Sequence, residues 1–463
     1  MAARILLENL VIPGCGDERR PASILLEGER IAAVAGPEEE VAADRRVDLG
    51  GALVLPAAID LHVHFDDPGF THREDFATGT RAAAAGGVGC IADMPCTSVP
   101  PVTSVENLRT KLAVIAPKAR VDFMLWGGVC AQVMGESGWE ERLGELVEEG
   151  VGAVKVYLLS GMDSFGDLTA GQLRTVLAVA GRLGVPVGVH AEDRELVLEL
   201  TRDIREAGGD GPLDYAASRP AEAEILAART VVEAVRATGS RAHVVHVASA
   251  GAMEVLSRAR KEGLPVSAET CPHFLAHTVE DLERLGSLLK TAPVVKTAAD
   301  REELWRGLAA GEIALVASDH AAGVWPDEKT TGSIWTDYGG VPGVELLLPF
   351  LYSEGFRRGR LSLERLVEVT ATAPAKLLGV GGFKGRIAPG FHADLAVIDE
   401  KVRWTVRAAD LHNKNRYTPL EGWELTGRIR ETWVRGRRVF WREGDHGRFA
   451  EPHGRWIRRG EGT

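Results

Sequence analysis

The chain opens on a short-period pattern. Residues 4–12 and 23–34 carry apolar runs such as Ile5-Leu6-Leu7 and Ile24-Leu25-Leu26, separated by Gly and Pro. That texture marks short β-strands joined by turns. It returns at residues 393–399 and 431–440, near the other end. Neither end supplies enough strands for a stable sheet alone. The two ends are therefore expected to pair into one small β-sandwich domain, residues 1–52 with 386–443. The polar tail, residues 444–463, is expected to wrap the surface or fray.

Between residues 53 and 385 the period changes. Apolar runs at 53–65, 90–95, 121–129, 153–158, 186–192, 243–249, 266–273 and 314–321 read as buried strands, and helical patterns such as 78–85, 140–149, 169–183, 221–238 and 250–262 fill the gaps. Strand followed by helix, eight times, is the arithmetic of a (β/α)8 TIM barrel. An open doubly wound sheet is the other α/β arrangement, but no glycine-rich phosphate loop follows the first strand.

The barrel makes a sharp demand: functional side chains belong at the C-terminal ends of strands, which open on one face. Polar residues interrupt the apolar runs at those ends. His62 and His64 close the first run and, two apart on a strand, point the same way. Lys155 interrupts the fourth run, His190 ends the fifth, His246 the sixth and Asp319 the eighth. A buried charge is costly unless paired or metal-bound. Four histidines, an aspartate and a lysine at one mouth can hold two divalent cations, with zinc suited to such nitrogen and oxygen ligands. The lysine is the odd member, because an ammonium has no acceptor and repels a cation. It ligates only as a neutral amine or as a carbamate formed with carbon dioxide. An ion pair with an acidic neighbour is its ordinary alternative.

Composition narrows the partners. A formal charge of −12 over 463 residues argues against nucleic acid or an anionic membrane. No apolar run is long enough to span a bilayer, and residues 1–4 lead into a strand-like segment rather than a signal peptide. Five scattered cysteines without C-x-x-C spacing fit neither a disulfide framework nor a thiolate zinc site, so a reducing cytoplasm is the expected setting.

The set His62-x-His64, Lys155, His190, His246 and Asp319 resembles that of the binuclear amidohydrolase superfamily. Within it, the chain is similar to the cyclic amidohydrolases: allantoinase, dihydroorotase and hydantoinase (dihydropyrimidinase). The likeness extends to the split β-domain and to the late motif Gly385-Arg386-Ile387-Ala388-Pro389-Gly390. It implies that His62, His64 and Asp319 hold one metal, that His190 and His246 hold the other, and that carboxylated Lys155 bridges them. It further implies attack on a ring amide by a metal-bridging hydroxide, with Asp319 as the catalytic proton carrier, in a homo-oligomer (dimer or tetramer) acting on a small cyclic amide.

The ring itself is read from fewer residues. Dihydroorotases grip a substrate carboxylate with an arginine, an asparagine and a histidine. The corresponding places here read Asp66, Cys96 and Gly323. An aspartate where a carboxylate should bind would repel it. The run His62-Val63-His64-Phe65-Asp66-Asp67-Pro68-Gly69 and the stretch Glu269-Thr270-Cys271-Pro272-His273-Phe274 look more like allantoinase. Asp66, Cys96, Ala292, His320 and Gly323 are the candidate substrate contacts, with Ala292 acting by backbone and Cys96 read as pocket wall. An allantoinase-like hydrolysis is therefore expected. Dihydroorotase, hydantoinase or dihydropyrimidinase activity, an unassigned cyclic amide, and a non-catalytic scaffold are the alternatives.

Overall fold

The computed structural model describes residues 3–461. The two ends of the chain meet in one eight-stranded sheet. Its N-terminal half is Arg4–Pro13, Arg19–Glu27, Arg30–Ala35 and Arg45–Pro56. Its C-terminal half is Leu395–Thr405, Glu424–Val434, Arg437–Glu443 and His446–Phe449. The halves join where Leu395–Thr405 lies antiparallel to Arg45–Pro56, with Leu395 opposite Pro56 and Ile398 opposite Leu53. Strand alternation explains how one strand serves two cores. Val54, Leu395 and Val397 face the sheet's own core, while Leu53, Leu55, Ala396 and Ile398 pack into the core of the barrel.

The central region is a parallel barrel. Its strands are Ala58–Val63, Val88–Asp93, Asp122–Leu125 continued by Gly127–Gly128, Val154–Tyr157, Val187–His190, Ala242–Val244, Val266–Thr270 and Leu315–Val316. A parallel bridge from Val63 to His320 joins the eighth strand's extension to the first. One face of each strand fills the barrel interior (Ile59, Leu61, Ala92, Trp126, Ala317) and the other meets the helices (Val88, Ile91, Phe123, Val154, Val189). Lys155 alternates with Val154 and Val156, which both face the helices, so it projects inward.

Three expected boundaries need correction. Residues 53–65 are not one strand: Arg45–Pro56 belongs to the terminal sheet, and the first barrel strand starts at Ala58. The sixth and eighth strands stop early, at Val244 and Val316, so His246 and Asp319 sit just beyond the ladder. Of the two expectations for the tail, wrapping holds through residue 461. Residues 446–449 add an edge strand, and Trp456 bridges Phe123 with Ile457 fully buried beside it. No described helix is long and apolar enough to cross a membrane.

Candidate active site

The ligand candidates are fixed at strand ends by short connections. Three residues after His190, Asp193 caps the next helix by accepting from the Leu196 amide. Three residues after His246, Ser249 does the same for the helix that follows, accepting from the Ala252 amide. Early capping leaves each ligand only a few residues of loop. Asp66, His246 and Asp319 all take positive φ, at 54°, 42° and 48°. Such backbone costs on the order of 1–3 kcal/mol per non-glycine residue and persists only where its surroundings hold it.

The six candidates converge on one mouth. His62 Nε2 and His64 Nε2 lie 3.2 and 3.3 Å from the same oxygen, Asp319 Oδ1. His190 Nδ1 is 3.0 Å from His246 Nε2. The His62 ring stands 5.4 Å from that of His246, which stands 4.7 Å from that of His190. Lys155 is fully buried, with Nζ 4.7 Å from the centre of the Tyr157 ring and no hydrogen-bond partner among the described residues. His62 Nε2 and His246 Nδ1 are likewise buried without a hydrogen bond. His62, His246 and Asp319 offer ligand atoms within 4.8 Å of one another, and their donors fit a divalent cation.

Electrostatics prepare the same chemistry. Burial lowers Lys155 from the ordinary lysine value against the opposing charge of Asp319, which favours the free amine. Burial, then His190 and Lys155, hold His246 well below the usual histidine range, so its imidazole is neutral. Burial alone would raise Asp319, but His62, His64 and His246 more than offset it and keep the carboxylate ionised.

The sequence reading passed over a supporting layer. Glu269 accepts from His62 Nδ1 at 2.5 Å and from His243 Nε2 at 2.9 Å, which leaves the His62 Nε2 lone pair facing the mouth. Glu192 accepts from His190 Nε2 at 2.9 Å and is paired with Arg219 at 2.5 Å. Tyr157 stacks on His190 at 5.0 Å, and its hydroxyl lies 3.1 Å from Cys96 Sγ. Glu269 carried the signal that marked the ligands, an acid interrupting a buried strand. Arg219 carried none, because it lies on a connection far from His190 in the chain.

The substrate candidates separate. Asp66 is fully buried and Cys96 lies 3.8 Å from His64 Nδ1, so both border the ligands. His320 is corrected: its Nε2 meets Glu74 at 3.2 Å, and its Nδ1 accepts from the Gly343 and Val344 amides, so its ring has no atom left for substrate. Gly323 is corrected as well. Its amide donates to the Tyr417 hydroxyl, and any side chain there would strike Tyr338, so it shapes the rim and does not bind through its amide. Ala292 is half-buried beside Thr291, whose carbonyl accepts from Tyr215.

Residues 53–439 match the model of the amidohydrolase family. The chain belongs to the amidohydrolase family. It is 39% identical over 433 residues to an allantoinase of Rubrobacter xylanophilus, covering 92% of each chain. It is 36% identical to an allantoinase of Deinococcus radiodurans, covering 99% of each. The L-hydantoinase (dihydropyrimidinase) structure from Arthrobacter aurescens superposes with a TM-score of 0.93 at 30% identity, over 99% of this chain and 100% of that one. These relatives and this solved neighbour place the chain in the cyclic-amide group of amidohydrolases, with the barrel and terminal β-domain described above. Amidohydrolases use a divalent metal centre, and the cluster at the barrel mouth is a candidate set of ligands for one.

Proposed function

We propose that this amidohydrolase opens the ring of allantoin by hydrolysing a cyclic-amide C–N bond. It is a hydrolase of cyclic-amide C–N bonds acting on a small molecule. The observation that carries the narrower reading is the convergence of His62, His64, His190, His246, Asp319 and an unpartnered Lys155 at one mouth, in a chain similar to allantoinases along nearly its whole length. His62, His64 and Asp319 would hold one cation and His190 with His246 the other. Lys155, as its carbamate, would supply the two oxygens between them. Zinc suits this set of imidazoles and carboxylates. When bound, such a cation pair lowers the pKa of water toward neutrality and polarises a carbonyl.

The chain's own groups do the rest. Asp319, held ionised, takes the proton of the attacking water at its carboxylate and delivers it to the departing ring nitrogen. Glu269 and Glu192 keep the His62 and His190 rings in the tautomers that face the mouth. Burial, then Cys96, raise Tyr157 far above the usual phenol value, so it stays protonated and can donate to the developing oxyanion.

Hydantoins and dihydropyrimidines form the second reading, favoured by solved hydantoinase structures that superpose closely on this fold. The test is a panel of allantoin, hydantoin, dihydrouracil and dihydroorotate on zinc-loaded protein. Allantoin should give the highest kcat/KM and dihydroorotate none. An inert panel on fully metallated protein would overturn the reading.

Five free cysteines, with no disulfide among the described residues, support a cytoplasmic setting. Exposed Leu198, Leu213 and Leu226, on neighbouring helices, support a homo-oligomer through that face. Leu198→Gln with Leu226→Gln should then lower the mass measured by light scattering.

A further inference from the structure

Asp66 is the unexplained group at this mouth. It is 0% exposed, neither carboxylate oxygen makes a hydrogen bond of good geometry among the described residues, and the Thr97 hydroxyl is the one side-chain donor that bears on it. An isolated buried carboxylate is among the most costly things a fold can hold. The neighbouring cations are already committed. Arg73 feels the charge of Asp66, but its guanidinium grips Glu328 through contacts of 2.7–3.0 Å and is stacked between Phe70 at 5.0 Å and Tyr338 at 4.4 Å. Lys111 is bound to Asp93 at 2.8 Å, and Lys118 to Asp67 at 2.7 Å. His64, two residues away, turns its Nε2 to Asp319.

The position is as telling as the empty valence. The chain leaves the first barrel strand and kinks at Asp66 with φ at 54°, a turn closed by the Phe70 amide on the Asp66 carbonyl. The carboxylate interacts electrostatically with His64 on the metal side and with Tyr338 on the rim loop. That loop is packed tightly enough that Gly323 has no room for a Cβ against Tyr338. A carboxylate in this place has two acceptor oxygens, and beyond the Thr97 hydroxyl no neighbouring group is free to fill them. The complement is a neutral arm carrying two N–H groups side by side, which a carboxylate takes as a fork.

We propose that Asp66 is a specificity residue: its two oxygens accept the paired N–H groups of a ureido or carbamoyl arm on the substrate ring, and the same acceptor pair turns away arms that bring only acceptors. The inference rests on the cyclic-amide reading of the site. It goes beyond it by assigning the selective contact to one residue outside the ligand set.

Three rings with one core test it: allantoin, with a ureido arm; hydantoin, with none; and hydantoin-5-acetic acid, with a carboxylate arm. For Asp66→Asn, which keeps the shape but replaces one acceptor with a donor, the kcat/KM ratio of allantoin to hydantoin should fall about 10- to 100-fold, the loss expected when a charged hydrogen-bond acceptor is removed. The ratio of the acid to hydantoin should rise. Unchanged ratios would overturn the proposal and leave Asp66 a packing residue or a holder of water. Should the variant fail to fold or to bind metal, the native enzyme decides with allantoin methylated on its ureido nitrogens: a 10- to 100-fold loss against allantoin supports the contact, and equal rates refute it. Native, fully metallated enzyme that opens none of the three rings would instead overturn the underlying reading.

Discussion

Lys384 and Lys155 are both fully buried, at opposite ends of one barrel, and they are held in opposite ways. Lys384 lies at the floor, where its Nζ is 2.7 Å from both Asp122 and Asp394. Arg435 adds a contact of 3.0 Å to Asp122 and donates its backbone amide to Asp394. Burial alone would lower Lys384, but Asp122 and Asp394 hold it above the ordinary lysine value, charged. Lys155, at the mouth, has no hydrogen bond, and burial lowers it toward the neutral amine. Asp122, His392 and Asp394 at the floor have the spacing of a metal site, yet an ammonium already stands between the two carboxylates. Buried polarity that satisfies itself is architecture. Buried polarity left open is a request for a ligand.

The contrast predicts that mutations at the two ends fail in different ways. The largest effect belongs to the mouth. Asp319→Asn should cut kcat by about 10²–10⁴, the range for a lost general acid–base group, with an unchanged unfolding midpoint in the metal-free protein. At the floor, Lys384→Met strands two carboxylates and should cost about 3–5 kcal/mol of stability in urea unfolding. Its kcat per folded molecule should stay native, and a loss of kcat equal to that of Asp319→Asn would break the comparison. A subtler effect sharpens it: Glu269→Gln loosens the hold on His62 and should weaken metal affinity about 10- to 100-fold in a chelator competition.

The same contrast explains what could be read from the chain alone. His62, His64, Lys155, His190, His246 and Asp319 stand out because each interrupts or closes an apolar run, and that signal needs no knowledge of neighbours. Residues 53–65 read as one strand because the last residues of Arg45–Pro56 and the first of Ala58–Val63 are equally apolar. Period alone does not reveal that the chain passes from one sheet to another between them. His320 follows Asp319 and so reads as a substrate contact, yet its ring is consumed by Glu74 and two backbone amides from distant segments. The tail reads as polar, but Ile457 and the Trp456 bridge to Phe123 dock it against the third strand. Partners far apart in sequence decide such cases, and hydropathy carries no record of them.

The central claim is that the mouth, and not the floor, is built for a cation pair. Metal content per chain, measured on native protein, on Lys155→Ala and on Lys384→Met, tests it most directly. The account predicts two equivalents in native protein, fewer than two in Lys155→Ala, and two in folded Lys384→Met. Native protein that opens its ring substrate at full rate with no bound metal, or metal lost with Lys384 and retained without Lys155, would contradict it.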